Sequence, residues 1–431
     1  MGAQPRGNET RNETQRGGRR SPGGRSPAGG SFPRGQKTKD VQTSDGQQVA
    51  ALGEEIFRFA GDVVPTPEEQ RRREDAYSAV KIAVASVFPR AEVELFGSEA
   101  SDLSLHNSDI DVVVLNVETP PPDGRGFPTW QRPQVASKLR KILGELRRRG
   151  IVSRANVIAQ ARIPIAKCST VDGIELDISL GNRSSCLAAE WQRQATEWPL
   201  LRPLVLVIKA LLKDNHISEV SQGGLGSFSV MNMVLAVLLG SPKDLEVGTL
   251  LLRFLRIFGD DFDYGASAVS VGRGGFVSKA SVMYNGYNDD LCSIQNPGDW
   301  SFKLCIEDPT THRDISGGSF RIADVRALFQ TSLRRLNDKS RSHGRSAGSS
   351  ALLPRIMDVA SAVDRPGKRS AAGPQTDAQP GSKRPRTDGG AGPDQPRGAS
   401  GKAPRQGGLG SGSELFMQRL IENAKSMAGQ T

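Results

Sequence analysis

The chain has 431 residues, of which 36% are hydrophobic and 5% aromatic, and it carries a formal charge of +10. No uninterrupted apolar run reaches the about 18 residues of a membrane span, and no charged-then-apolar leader opens the sequence, so membrane insertion and secretion are not expected. The four cysteines, Cys168, Cys186, Cys292 and Cys305, lack CxxC or Cys/His spacing, which argues against structural zinc and for thiols in a reducing compartment.

Residues 1–51 are rich in Gly, Pro, Ser, Arg and Gln, a composition that predicts a disordered basic tail. The same composition returns at 337–411, where Lys383-Arg384-Pro385-Arg386 has the character of a nuclear import signal. Residues 1–50 hold nine Lys/Arg against four Asp/Glu and 337–411 hold thirteen against six, leaving 33 basic and 35 acidic side chains over 51–336. Sequence-independent phosphate contacts are therefore assigned to the tails and not to the core.

Thr66, Pro67 and the pair Glu68-Glu69 predict a helix start running to about Val87, by an N-cap hydroxyl, proline in the first turn and carboxylates at the positive end of the dipole. A strand over 91–96 then meets a tight Gly97-Ser98 turn into another helix, and the continuous apolar run of 110–115 predicts a central strand. Four prolines between Glu118 and Arg132 mark a linker. Val135, Leu139, Ile142, Leu143 and Leu146 then recur at helical spacing. Strands near 155–160 and 162–167 lead to a turn at Val171-Asp172-Gly173. In the strand after it, Ile174, Leu176, Ile178 and Leu180 face one side, which places Asp177 on a solvent-facing surface. Beyond residue 187 the pattern turns helical, over 200–214, 227–240, 244–258 and 320–336, with strand-like pieces at 269–277 and 302–306. Near the end, Ser413 caps a short amphipathic helix that suits a partner groove.

The chemistry concentrates in LFGSEASDLSLHNSDIDVVVL, residues 95–115. Side chains at i and i+2 of an extended strand share a face, so Asp109 and Asp111 present two carboxylates side by side. Such anions repel unless a cation sits between them, and hard oxygen donors favour Mg²⁺ or Mn²⁺. Gly97 lets a triphosphate approach the backbone at the helix start, and the Ser98 hydroxyl adds a donor or caps the helix. Asp177, on a neighbouring strand, completes a three-carboxylate set for two metal ions. One ion would activate a hydroxyl nucleophile and the other would stabilise a pyrophosphate leaving group.

The ordered motifs FGS at 96–98, SDID at 108–111, ELDIS at 175–179, IKALLK at 208–213, GGLGSFSV at 223–230 and CIEDP at 305–309 resemble the DNA polymerase β-like nucleotidyltransferases, within them the Trf/Cid-type poly(A) polymerases and terminal uridylyltransferases. The resemblance implies an α/β plus α architecture: a palm of mixed sheet and helices at 76–186 and a helical central domain at 187–336. An N-terminal helical segment at 52–75 would belong to the central domain, and the tail would end in the helix at 412–431. It implies that Lys209 and Lys213 contact a triphosphate, Ser227 a ribose or phosphate, and Phe228 the base by stacking. Asp308 and Arg313 would stand near the base edge. Aligning Arg313-Asp314-Ile315 with the Asn-Asp-Val of adenylating relatives leaves His312 one position early and favours ATP over UTP. Ser184-Ser185 stands where the Trf branch has Asn-Gly, a departure that leaves the ribose contact unassigned unless Asn182 serves instead. The expectation is an RNA 3′-adenylyltransferase of nuclear RNA surveillance. Its partners would be a zinc-knuckle RNA-binding protein and a helicase, as in the TRAMP complex. The alternatives are a terminal uridylyltransferase and a catalytically silent scaffold.

Overall fold

In the computed structural model, residues 46–121, 126–181, 183–283, 303–338 and 351–365 are described. Asn182, Cys292, the basic cluster at 383–386 and the helix expected at 412–431 lie outside them.

The chain begins in one hydrophobic core, leaves to build a second, and returns. Helix α1 (Gly46–Asp62) places Val49, Leu52, Ile56 and Phe59 in the helical core. It starts inside the stretch expected to be a tail, because those four recur at helical spacing and pack on helix α6 (Leu201–Asp214). Helix α2 (Pro67–Val87) is started by a capping box: Glu69 N–H donates to Thr66 Oγ1 at 3.2 Å and Thr66 N–H donates to Glu69 Oε2 at 2.8 Å. It buries Ala76, Val80, Ala83 and Val84 in the other core, so the chain crosses between the cores over Val63–Ala76.

That other core lies under a five-stranded sheet ordered β1-β2-β5-β4-β3: β1 (Glu92–Phe96), β2 (Ile110–Leu115), β3 (Val152–Ile158), β4 (Ile165–Thr170) and β5 (Glu175–Leu180). Only β2 and β5 pair in parallel, and the other neighbours are antiparallel. Ile110, Val112 and Val114 from β2 and Leu176, Ile178 and Leu180 from β5 are fully buried with α2 and helix α4 (Arg132–Arg148). A single turn, α3 (Gly97–Ala100), joins β1 toward β2.

The return begins with α5 (Arg183–Ala195), whose Trp191 and Ala195 belong to the helical core. That core is built on α6, α7 (Ser227–Leu239), α8 (Val247–Arg256) and α10 (Ile322–Asn337), with a short helix α9 (Lys279–Met283) beside a second sheet. The sheet is ordered β7-β6-β8, from β6 (Ser267–Ser270), β7 (Gly275–Ser278) and β8 (Ile306–Glu307). Within the stretch expected to be a disordered linker, residues 351–365 pack on the helical core: Leu352, Leu353, Ile356 and Met357 are buried, and Glu55 accepts the N–H groups of Leu352 and Leu353. Among the described residues no helix is long and apolar enough to cross a membrane. Cys168 and Cys305 are buried thiols in no disulfide, and burial pushes both up to about 12, which makes them unreactive.

Candidate active site

The parallel β2–β5 register sets Asp111 directly beside Asp177. Because Ile110 and Val112 turn into the core, Asp111 projects to the opposite face, toward the helical body. Asp177 shares that face. Its side chain is 16% exposed, so it stands in a cleft and not on the open surface expected from its strand alone. The ammonium of Lys167 lies 2.7 Å from Asp177 Oδ2 and 3.6 Å from Asp109 Oδ2, so both carboxylates converge on one point. Burial and the neighbouring charges of Asp177 and Asp109 push Asp111 up to about 7. Asp177 is raised as well, by burial, against the opposing bond from Lys167. Burial disfavours the Lys167 cation, but the two carboxylates hold its pKa above the ordinary lysine value.

Lys167 was missed in the sequence, although the hairpin carries the signal. It and Asp177 are equally far from Asp172 at the turn, and the antiparallel register pairs them.

Gly97 has a left-handed backbone (φ +66°), and a Cβ there would fall 2.2 Å from Asp111 Oδ2. Its missing side chain is the space that the Asp111 carboxylate fills, a role closer to the aspartates than the phosphate approach expected. Ser98 is not an N-cap. The cap position is Phe96 without a side-chain bond, and buried Ser98 accepts from Ser104 Oγ at 3.3 Å. The helix there is a single turn, so it offers less dipole than expected. Beneath it Arg73 and Glu99 form a buried ion pair at 2.6 Å, and Arg73 Nη1 donates to Ser108 O at 2.9 Å, next to Asp109. Burial would raise Glu99, but its bonds to Arg73 outweigh this and hold it below its ordinary value.

Across the cleft, α6 aims both lysines at the loop that carries Asp109. Lys209 donates to Leu103 O at 2.5 Å, and Lys213 to Asn107 O and Oδ1 at 2.8 Å each. Burial pulls Lys209 down to about 7 against the attraction of Asp111 and also lowers Lys213. Ser227 opens α7 and Phe228 follows, half-buried, its ring edge-to-face with Trp191 at 6.2 Å.

Asp308 is arranged differently from the expectation. It is 7% exposed, with Oδ1 accepting from Thr310 N–H and Oγ1 and Oδ2 accepting from Thr311 Oγ1. Its carboxylate is thus committed to its own loop, which Arg313 closes by accepting Asp308 N–H at 2.8 Å. Glu307, another residue the sequence did not single out, is buried and takes Ser270, Arg273 and His312 Nδ1.

The donor set suits a hard divalent ion: three carboxylates, two from paired strands, crowded enough to attract a cation from the next strand. Among the described residues no three acidic, His or Cys groups stand close enough to close around an ion as the side chains lie. The Lys167 ammonium occupies the point on which Asp109, 42% exposed, and Asp177 converge.

Comparison with known proteins bears on this arrangement. A family model for the central palm domain of the mitochondrial-like poly(A) RNA polymerase matches residues 52–190, and the Cid1 family poly A polymerase model matches 246–313. The chain is 35% identical over 289 residues to poly(A) RNA polymerase CID14 of Cryptococcus neoformans, covering 64% of this chain and 35% of that protein. It is 30% identical to poly(A) RNA polymerase protein 2 of Saccharomyces cerevisiae, over 64% of this chain and 46% of that one. It therefore spans between a third and a half of those relatives' length. The solved polymerase core of TRAMP, a RNA surveillance complex, superposes with TM-score 0.60 at 27% identity, over 72% of this chain and 94% of that one. Both domain models match in order and the fold is shared with the TRAMP polymerase core, so in domain order and fold the chain is similar to the Trf/Cid-type poly(A) polymerases.

Proposed function

We propose that the protein adds AMP from ATP to RNA 3′-hydroxyls, releasing pyrophosphate, with Asp109, Asp111 and Asp177 as ligands of two Mg²⁺ or Mn²⁺ ions. The observation that carries the reading is the β2–β5 register: it sets Asp111 beside Asp177 at the mouth of a cleft whose other wall is α6. Packing alone supplies no reason for acids there, since Asp111 is held up to about 7 by burial and like charge. Bound ions would supply the charge that activates the 3′-hydroxyl and steadies the leaving group. The residues of the chain do the rest. Gly97 keeps Asp111 seated, Arg73 and Glu99 hold the loop before Asp109, and Lys209 and Lys213 hold the wall that the triphosphate would face.

Preference for ATP over UTP draws support from His312, whose ring is engaged by buried Glu307 from a left-handed backbone position (φ +57°). With Nδ1 turned to Glu307, Nε2 is the one ring nitrogen left to meet a base. The likeness to the polymerase core of TRAMP, a RNA surveillance complex, supports a role in RNA surveillance; a nuclear location and a zinc-knuckle RNA-binding partner with a helicase are proposed with it from the motif resemblance alone.

Incubation with a labelled oligoribonucleotide and each NTP in turn is expected to give extension with ATP above the other three. Preferential UMP addition rejects the adenylyl assignment. Asp109→Ala with Asp111→Ala should abolish extension by at least about 10³-fold while leaving the far-ultraviolet spectrum unchanged. Retained extension removes the site.

A further inference from the structure

Phe320 is 71% exposed, the most exposed large aromatic side chain but one among the described residues. It sits in the turn before α10, and that turn is clamped onto the glycine loop preceding α7. Arg321 N–H donates to Gly223 O at 2.9 Å, and Ser319 Oγ donates to Gly224 O at 2.9 Å. A Cβ on Gly223 would lie 2.5, 2.6 and 2.7 Å from three adjacent ring carbons of Phe320. Such nearly equal distances put the glycine under the face of the ring and not at its edge. One face therefore rests on backbone that only glycine permits (φ +86°), and the opposite face is open.

The seat is braced from the side. Val220, 43% exposed, fills the space beside Gly226 and Gly318, where a Cβ would approach it to 2.9 and 2.6 Å. The turn is also tied to the end of α6 that carries Lys213: Arg321 Nη1 donates to His216 O at 3.1 Å, and His216 N–H donates to Lys213 O at 3.1 Å. Phe320 thus stands on the cleft rim of the helical body, within a few residues of the groups that face the aspartates. An aromatic ring fixed flat and left open costs free energy in water unless something covers it. An open aromatic face offers no donor or charge to a phosphate but a stacking surface to a base, so the occupant it suits is a base and not a backbone.

We propose that Phe320 is a stacking platform for a base near the 3′ end of the single-stranded RNA primer. The inference rests on the RNA reading above and adds a primer subsite distinct from Phe228, which packs on Trp191 at the start of α7. Base–aromatic stacking contributes about 1–3 kcal/mol per base, so removing it should weaken RNA binding roughly tenfold.

The test uses the full chain. Affinity for a fluorescein-labelled oligoadenylate is measured by anisotropy, and KM for RNA and for ATP in steady state. Phe320→Ala and Phe320→Leu should both raise the RNA Kd and KM about tenfold, with kcat at saturating RNA and KM for ATP within about twofold of wild type. Phe320→Trp should bind RNA as wild type does. Leu keeps the apolar volume, so RNA affinity at the wild-type level in Phe320→Leu overturns stacking. A raised KM for ATP with unchanged RNA affinity also overturns it, and assigns the ring to the nucleotide. An earlier unfolding transition in both Ala and Leu variants, with Trp failing to restore RNA affinity, makes Phe320 structural and overturns the proposal. If the wild type extends RNA and the variants bind it normally, this inference alone fails. If the wild type extends no RNA, the adenylyl-transfer reading fails.

Discussion

Asp111 is the residue on which the site turns, and its position explains both its neighbours and its titration. Gly97 surrenders a side chain so that the Asp111 carboxylate can enter, Lys209 attracts it from across the cleft, and Asp177 and Asp109 repel it. With a folded-state pKa of about 7 against an ordinary 3.8, Asp111 keeps its proton in the folded protein after the unfolded chain has lost it. Its contribution to stability is therefore full below about pH 4 and is lost as pH rises through about 7. Metal-free wild type and Asp111→Asn should unfold at similar temperatures near pH 4, and the wild type should fall behind as pH rises to about 7. A gap that does not widen over that range would show that Asp111 titrates normally. Divalent ion should raise the wild-type transition at pH 8 more than that of Asp111→Asn, because the ion binds the charged form.

At the scale of elements, the segment 351–365 does what its composition hides. Four apolar side chains spaced over Leu352–Met357 are enough to bury it on the helical core, although its surroundings are rich in Gly, Ser and Arg. It ends against the crossing between the two cores. Arg365 pairs with Glu69 of the α2 capping box and donates to Asp62 O at 2.9 Å and Val64 O at 3.0 Å. Nearby, His106 Nε2 donates to Ala362 O at 3.0 Å, three residues before Asp109. The segment therefore ties the crossing and the loop before Asp109 to the helical body. Leu353→Ala should cost about 2–5 kcal/mol in denaturant unfolding, as expected of a fully buried leucine. Arg365→Ala, at a partly exposed site, should cost less in stability but slow extension, because the crossing it braces joins the two walls of the cleft. Chemical denaturation and initial rates measured on the same preparations separate the two effects; unchanged values for both would remove the segment from the fold.

For the whole molecule, charge is divided between core and tails. Residues 51–336 carry 33 basic and 35 acidic groups, while 1–50 and 337–411 are both net basic. Nonspecific RNA affinity is therefore expected from the tails, and catalysis from the core. Removing residues 1–44 and 366–411 should weaken RNA binding at low salt and flatten the dependence of log K on log salt, while kcat at saturating RNA holds. An unaltered salt slope would place the phosphate contacts in the folded core.

The sequence alone determined what is local. Alternation and apolar runs gave β2 and β5, and the Thr66-Pro67-Glu68-Glu69 string gave the start of α2, since caps and periodicity depend on neighbours within a few residues; Asp109, by contrast, lies just before β2 and not on it. Tertiary structure decided what depends on residues far apart in the chain. The insertion of Lys167 between two carboxylates, the commitment of Asp308 to its own loop, the seating of Asp111 against Gly97 and the docking of 351–365 all follow from register and packing between distant segments. Composition read that last segment as a linker because composition averages over a window, whereas burial needs only a few apolar side chains at the right spacing and a surface shaped to receive them.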